Sequence, residues 1–233
     1  MTEQTELLVL EGVKRTFPLG HSVVPALRGI NIKIASGEVV AICGPSGSGK
    51  STALNIMGLI DQADEGTVIF DDQNVSGLGQ DELADIRNHK IGFVFQAFHL
   101  VPVFSALENV MLPLVIQGIS QGVAKARASE WLERVGILEF ASQRPDRLSG
   151  GQRQRVAIAR ALVTAPMLVI ADEPTANLDS VNAQLIIDLL WELSRATNVT
   201  CIIATHDDRL IRKAPRCAVL KDGVIQEDVR NVV

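Results

Sequence analysis

The stretch GPSGSGKS, residues 44–51, decides the fold, because it matches the pattern G-x-x-x-x-G-K-[ST] in full. It follows the continuous apolar run VVAIC (39–43), typical of a strand buried on both faces, and precedes a helical segment over 51–58. Glycines let the backbone fold around an anion, and the N-terminus of the next helix adds a favourable dipole. The motif therefore predicts a phosphate-binding loop made of Gly44, Pro45, Ser46, Gly47, Ser48, Gly49, Lys50 and Ser51.

Two residues of this loop have distinct predicted roles. Lys50 is expected to reach the β- and γ-phosphates of a nucleotide, and the Ser51 hydroxyl to ligate Mg²⁺. The loop thus predicts a site for ATP with Mg²⁺ as its metal.

A second motif, MLVIADE at 167–173, is an apolar strand that ends in two acids. In open α/β folds, ligands bind at the carboxyl ends of the strands. Alone, an acidic strand end is more often a solvated turn or a helix cap, but beside a phosphate loop it favours catalysis. We expect Asp172 to hold Mg²⁺ and Glu173 to orient and deprotonate the attacking water.

Strand-like and helical segments alternate along the 233 residues. This alternation predicts an α/β fold with a mainly parallel sheet that is covered on both faces by helices. The strand-like runs beyond the two motifs are 7–13, 30–34, 67–70, 91–95 and 201–204, and a final hairpin is expected to turn at 221–223.

The middle of the chain changes character from about 105 to 140, where the pattern is helical. Ala124, Ala128, Trp131, Leu132 and Val135 fall on one face at helical spacing. After 151 a further helix is expected, and another should carry Leu185, Ile186, Leu189, Leu190 and Leu193 on one side, with Asp179 or Ser180 as its cap. Residues 97–160 therefore form a helical insert in the predicted fold.

The motif LSGGQ at 148–152, followed by RQRVAIARAL, is a second glycine turn that opens a helix, and thus a second anion-binding end. A plain glycine N-cap is the simpler interpretation. However, the motif resembles the signature of ATP-binding cassette (ABC) ATPases. That resemblance implies a head-to-tail homodimer that forms on ATP binding, in which one protomer's signature closes on the γ-phosphate held by the other. The residues carried over for this contact are Ser149, Gly150, Gly151 and Gln152.

Further motifs match the family in order, and their roles follow from the resemblance. Gln96, after IGFVF, matches the glutamine that contacts Mg²⁺ and the water. Asp179, in the stretch NLD, matches the loop that crosses the dimer, and His206, after CIIAT, matches the histidine on the γ-phosphate. The family usually stacks adenine on a tyrosine, but this chain has none, so Phe17 is the candidate, with a core position as its alternative.

The resemblance covers nearly the whole chain and implies one ABC ATPase domain over 1–233. Its catalytic P-loop NTPase core would be 1–96 and 161–233, with an N-terminal antiparallel β part, and its helical subdomain 97–160. In detail the chain is similar to the branch of lipoprotein-releasing and macrolide-exporting ATPases. That branch implies a separate integral membrane permease as partner, a place on the cytoplasmic side of the membrane, and export or extraction as the task.

Composition limits the alternatives. The net charge is −5 and no basic excess exists, which argues against a nucleic-acid partner. No apolar run approaches the ~20 residues of a membrane span, and the N-terminus does not resemble a secretory signal. Cys43 and Cys201 lie in apolar runs, which favours reduced core cysteines over a disulfide framework.

Two other functions remain as alternatives. A soluble cassette that acts on DNA or ribosomes would be expected to have a long coiled coil or two cassettes, and this chain shows neither. A regulatory cassette without hydrolysis would be expected to lack the acid at Glu173, which is present. For the apolar residues Phe98, Leu100, Val103, Phe104 and Leu107, a permease-docking surface and a core position are both open.

Overall fold

A computed structural model describes residues 5–20 and 22–230, so residues 1–4, residue 21 and residues 231–233 lie outside the described part. The chain divides into two compact units, residues 1–87 with 200–233 and residues 88–199. The predicted helical insert over 97–160 falls inside the second unit, and its bounds stay a prediction. Each unit is described by itself.

The first unit combines antiparallel and parallel pairing. Its elements are β1 (Glu6–Leu19), β2 (Ser22–Ala35), β3 (Val39–Cys43), α1 (Lys50–Met57), β4 (Glu65–Phe70), β5 (Gln73–Asn74), most of α2 (Gln80–Lys90), β8 (Thr200–Thr205), α7 (Asp208–Lys213), β9 (Arg216–Lys221) and β10 (Val224–Arg230). The antiparallel sheet has the order β2-β1-β4-β5. Strand β3 lies between β8 and β9, parallel to both, and β10 pairs antiparallel with β9.

Burial explains which strands the sequence predicts well. Strand β8 is buried along its whole length and β3 along nearly all of it, as the continuous apolar runs predict. Strand β2 alternates instead, with buried Ile30, Ile32 and Ile34 around exposed Asn31 and Lys33. The expected strand at 7–13 is too short, because β1 continues to Leu19 with exposed residues that carry no core pattern.

The second unit contains the remaining strands and α-helices of the described residues. They are β6 (Ile91–Val94), α3 (Ala106–Ile116), α4 (Gln121–Arg134), α5 (Gly150–Leu162), β7 (Leu168–Asp172) and α6 (Ser180–Thr197). Strands β6 and β7 pair in parallel, and α5 packs on β6. This contact is close at Gly92, where an added Cβ would lie 2.1 Å from the carbonyl oxygen of Ala161, so only glycine fits there.

Helical spacing predicts most buried faces of this unit correctly. The five residues predicted for one face of α4 and its end are all buried. In α6 the predicted face is buried except at Leu185, which is 47% exposed and whose assignment to that face is wrong. Asp179 is the N-cap of α6, accepting hydrogen bonds from the backbone N–H groups of Val181 and Asn182, each at 3.0 Å.

The expectation of a reduced Cys43 is wrong. Cys43, at the end of β3, forms a disulfide with Cys217 of β9, with their Cα atoms 6.6 Å apart. The two strands are parallel neighbours, so residues 174 positions apart in the sequence become adjacent. Sequence spacing therefore gave no signal for this pair. Cys201 is buried in β8, as predicted.

A buried cation ties the C-terminal strands to the rest of the first unit. Arg216 on β9 donates to both carboxylate oxygens of Asp228 and of Glu38, and to the carbonyl oxygen of Lys33. Its side chain is only 8% exposed. The hydrogen bonds and ion pairs with Asp228 and Glu38 raise the pKa of the Arg216 guanidinium further above its usual range.

Replacing Arg216 with Met should destabilise the fold by about 3 kcal/mol, because the change removes the buried cation that pairs with two partly buried carboxylates. For a chain of this size that corresponds to a fall in Tm of about 6 to 12 °C, measurable by thermal denaturation. Lys14→Met is the matched control: it removes the same charge from an exposed pair with Glu65 and should change stability by at most about 1 kcal/mol. Equal shifts in the two variants would contradict this role for Arg216.

Candidate functional site

Two strand ends of the first unit bring the phosphate loop and His206 to one edge. In the parallel pair of β3 and β8, Cys43 lies opposite Thr205. The next residues along the two strands are Gly44, which starts the loop, and His206, which is exposed. The register therefore places these two predicted site residues at the same sheet edge, as expected for parallel strands.

The loop itself has the shape of an anion cradle. At Gly44, where φ is 150°, an added Cβ would lie 2.0 Å from the carbonyl oxygen of Leu220, so the chain can leave β3 this way only with glycine. The Lys50 ammonium donates to the carbonyl oxygens of Gly44 and Pro45 at 2.8 and 2.9 Å, which holds its charge over the loop. The Ser48 hydroxyl is buried without a partner in the described structure. These features fit a bound phosphate.

Phe17 lies near the end of β1 and is 40% exposed, so it is not a core residue. The guanidinium of Arg15 lies 5.0 Å from its ring centroid, and Arg15 is itself held by ion pairs with Asp61 and Asp64. The hydrogen bond from the Thr16 hydroxyl lowers the pKa of the Asp64 carboxyl most, and the hydrogen bond from Arg15 lowers it further. This arrangement orients the ring while leaving part of its surface open for stacking.

In the second unit, Gln96 and the two acids lie at the ends of neighbouring parallel strands. Val94, the last residue of β6, lies opposite Ala171 of β7. Gln96 is two residues beyond Val94, Asp172 is the last residue of β7, and Glu173 follows it. The side-chain amide of Asn177 donates to the carbonyl oxygen of Gln96 at 2.7 Å. The structure therefore brings Gln96, the acids and the NLD stretch together within this unit.

Glu173 has an unusual backbone conformation. Its φ is 46°, in the left-handed region that non-glycine residues rarely adopt. Such strain persists only where the surrounding structure enforces it, and it is concentrated at functional sites. The strained backbone is an observation independent of the sequence motif that also points to Glu173.

The signature turn opens α5 through a capping box. The Ser149 hydroxyl accepts from the backbone N–H of Gln152 at 3.3 Å, and the Gln152 side chain accepts from the backbone N–H of Ser149 at 2.8 Å. A Cβ on Gly150 would lie 3.2 Å from Leu178, and one on Gly151 would lie 2.7 Å from the side chain of Asn182. The two glycines thus let the signature pack tightly against the residues around Asp179.

The Asp179 carboxylate is already used within its own unit. Hydrogen bonds from the backbone and side chain of Asn182 and from the backbone of Val181 lower the pKa of this carboxyl. Its role as cap of α6 therefore accounts for its ionised state. If this region contacts the other copy in a dimer, the loop that the Asp179 cap holds in place would make that contact.

Mg²⁺ fits the chemistry of the predicted donors. The hydroxyl of Ser51, the amide oxygen of Gln96 and the carboxylate of Asp172 are the hard oxygen ligands that this ion prefers, and Mg²⁺ usually adds substrate phosphates to one or two such groups. Among residues 5–20 and 22–230, no group of three or more His, Cys, Asp or Glu side chains could hold a metal by itself.

Sequence reasoning missed Arg15 and Arg160 as residues that support the site. Arg160 donates to the carbonyl oxygens of Phe98 and His99, close after Gln96. No motif assigns either arginine a role, because the groups that each one contacts are distant in the sequence or depend on the local fold. The helical spacing of α5 gives only the face on which Arg160 lies.

The five candidate permease-docking residues differ in how exposed they are. Phe98 is buried and Val103 is 68% exposed, while Leu100, Phe104 and Leu107 are half-buried. None of the described helices has the length and apolar character that a membrane crossing requires.

Comparison with protein families adds independent information. A family model described as ABC transporter matches residues 27–176. The lipoprotein-releasing system ATP-binding protein LolD of Pseudoalteromonas translucida is 47% identical over 91% of this chain and 92% of its own length. The macrolide export ATP-binding/permease protein MacB of Syntrophobacter fumaroxidans is 45% identical over 96% of this chain, which spans only 32% of that relative.

A solved structure is similar over nearly the full length. It is described as a dimeric post-hydrolysis state of the ATP-binding cassette MJ0796 bound to ADP and Pi, and a protein of that name is known from Methanocaldococcus jannaschii. The TM-score is 0.90 at 43% identity, with 96% of this chain and 98% of that chain covered. The predicted fold, an α/β cassette with an N-terminal antiparallel sheet and a parallel sheet, is thereby confirmed.

Proposed function

We propose, because the chain belongs to the ABC transporter family and is one of its ATPases, that two copies form a head-to-tail dimer that powers a separate membrane permease. The observation that carries the dimer is the signature turn. Helix α5 is capped by Ser149 and begins with two close-packed glycines, in a chain whose phosphate loop is complete without it. A second anion-binding helix start has a use if it serves the nucleotide of another copy.

Within each copy, we infer the following division of work. Lys50 binds the β- and γ-phosphates of ATP, and the N–H groups of the loop surround them. Glu173 accepts a proton from the attacking water, and the side chains of Gln96 and His206 orient the water and the γ-phosphate. The ring of Phe17 stacks on adenine, with Arg15 behind it.

The metal would be held by Ser51, Gln96 and Asp172. When bound, Mg²⁺ supplies positive charge that neutralises the charge developing on the transferred phosphoryl oxygens. The residues of the chain hold the reacting groups in place: the loop fixes the phosphates, and the strained backbone keeps Glu173 at a defined sheet edge.

In the second step of the proposal, the nucleotide-bound dimer encloses two ATP molecules between the phosphate loop of one copy and the Ser149 turn of the other. Hydrolysis reopens the dimer, and the permease follows this cycle. Relatives named for lipoprotein release and macrolide export support export or extraction of a hydrophobic substrate as the task. The cassette would then work on the cytoplasmic face of the inner membrane, as a peripheral subunit.

Affinity purification from the membranes of the organism that encodes the chain tests this proposal. We expect an integral membrane protein to co-purify at a fixed ratio of two cassettes to one permease assembly, and ATP hydrolysis to rise when both are present in lipid. Purification with ribosomal proteins or with nucleic acid in place of a membrane protein would favour the alternative of a soluble cassette.

A further inference from the structure

The residues between β6 and the N-cap of α3, residues 95–104, form an irregular stretch that we call the Gln96 segment. Side chains from other parts of the second unit bind its carbonyl oxygens. Asn177 donates to Gln96 at 2.7 Å, and Asn109 on α3 donates to the carbonyl oxygens of Val101 and Phe104. The segment forms few regular backbone hydrogen bonds of its own. Side chains outside the segment therefore hold its backbone in place.

Two consecutive residues of the segment are in the left-handed region. Phe98 has φ 62° and His99 has φ 45°. Neither is glycine, and of the two only histidine is a residue type that is enriched in this region. A bulky pair of this kind is unfavourable unless other contacts hold it in place.

Arg160 supplies those contacts. Its two terminal nitrogens donate to the carbonyl oxygens of His99 and Phe98, at 2.7 and 2.8 Å. The residue is half-buried, and within the described residues it has no carboxylate partner. Burial lowers the pKa of its guanidinium. A planar fork with parallel donors suits two neighbouring carbonyl groups, which a single ammonium cannot match.

The position of Arg160 on its helix links this contact to the signature turn. Arg160 lies in the last turn of α5, and Ser149 caps the start of the same helix. Arg160 is eleven positions after Ser149, which along an α-helix is a distance of about 16 Å. Arg153, the residue directly after the signature on this helix, also stacks on the Phe98 ring, with 5.0 Å from its guanidinium carbon to the ring centroid. One continuous helix thus carries the signature at its start and contacts the Gln96 segment from both its first and its last turn.

We propose that Arg160 is a positioning residue that fixes the strained backbone of Phe98 and His99, so that Gln96 and the Ser149 turn are held in one geometry. The inference rests on the proposed roles of Gln96 and Ser149. Arg160 touches neither nucleotide nor water in this account. It acts through the two carbonyl groups, and its loss lets the Gln96 segment leave the left-handed conformation.

Arg160→Ala should lower kcat for ATP by about tenfold while KM and the Kd for ATP stay within about twofold, because the phosphate loop and Phe17 belong to the other unit. The kcat of Arg160→Lys should lie between those of the wild type and Arg160→Ala, since lysine keeps the charge but cannot bind both carbonyl groups as a fork. Steady-state hydrolysis by the isolated cassette and ATP titration by calorimetry give these values.

Glycine at position 99 separates positioning from a general structural effect. Glycine adopts a positive φ freely, so His99→Gly should make the segment less dependent on Arg160. We expect Arg160→Ala to cost at most threefold in kcat in the His99→Gly background, but still about tenfold in the His99→Ala background. The alanine variant is the matched control, because it also loses the imidazole and its contact with Phe95.

The outcomes separate the proposed function from the role of Arg160. An inactive wild-type protein would overturn the proposed function itself. An active wild type, together with equal losses in the glycine and alanine backgrounds, would overturn only the role of Arg160. If Arg160→Ala does not fold, the same comparison is made with Arg160→Lys, for which equal losses in the two backgrounds have the same meaning.

Discussion

Glu173→Gln lowers kcat for ATP by about 10²- to 10⁴-fold, the range that removal of a general base produces. Glutamine has the same shape as glutamate, so the backbone at φ 46° and the packing around it should stay as they are. The amide cannot accept the proton of the attacking water. ATP should still bind, and the dimer that encloses it should accumulate because hydrolysis no longer opens it.

Two measurements check this expectation. Phosphate release gives kcat, and light scattering with and without ATP gives the mass of the particle, which should double for the variant in ATP. Glu192→Gln is the matched control, because Glu192 is an exposed residue of α6 in the same unit, and its hydrolysis should equal that of the wild type. Normal turnover by Glu173→Gln would remove this residue from the mechanism, and a particle that stays monomeric in ATP would exclude the enclosed dimer.

Ser149→Arg is the second change with a large expected effect. The arginine places a long charged side chain at the start of α5, where we propose that the γ-phosphate of the other copy binds. Hydrolysis should fall by about 10²-fold or more, the loss seen when a preorganised donor to a reacting anion is removed. ATP binding to the single cassette should remain, because the phosphate loop is unchanged.

Ser105→Arg separates this effect from the loss of a helix cap. Ser105 caps α3 with Glu108 in the same capping-box arrangement that Ser149 forms with Gln152. Each substitution should cost about 1 kcal/mol of stability through the lost cap. Only Ser149→Arg should stop hydrolysis and the ATP-dependent dimer. Equal inactivation by both variants would show that the cap, and not a shared nucleotide site, explains the result.

The sequence predicted the central strands well because their burial is complete. A run such as VVAIC has no solvated face, so its pattern does not depend on what packs against it. The hairpin of β1 and β2 was predicted only in part, because its outer half is exposed and is held by cross-strand pairing, for which a single strand contains no signal. Helix α2, with Leu83 as its one fully buried residue, lacks the apolar face that the prediction requires.

The candidate site shows the same division. Lys50, Ser149 and Glu173 lie in motifs whose local geometry follows from glycine and from strand ends. The positive φ of Glu173, the disulfide of Cys43 and the contacts of Arg160 could not be predicted, since each depends on residues distant in the sequence. Leu185 shows the opposite error: apolar character at helical spacing does not ensure that a neighbour covers the residue.

Gly92 has a consequence for how this protein tolerates change. An alanine there would push a methyl group into the backbone of Ala161, one residue from Arg160. Main chain cannot yield as a side chain can, so the whole of α5 would have to tilt away from β6. A single methyl group under one end of the helix would thus act as a wedge and shift the far end as well. Lineages of this chain should therefore keep position 92 without a side chain.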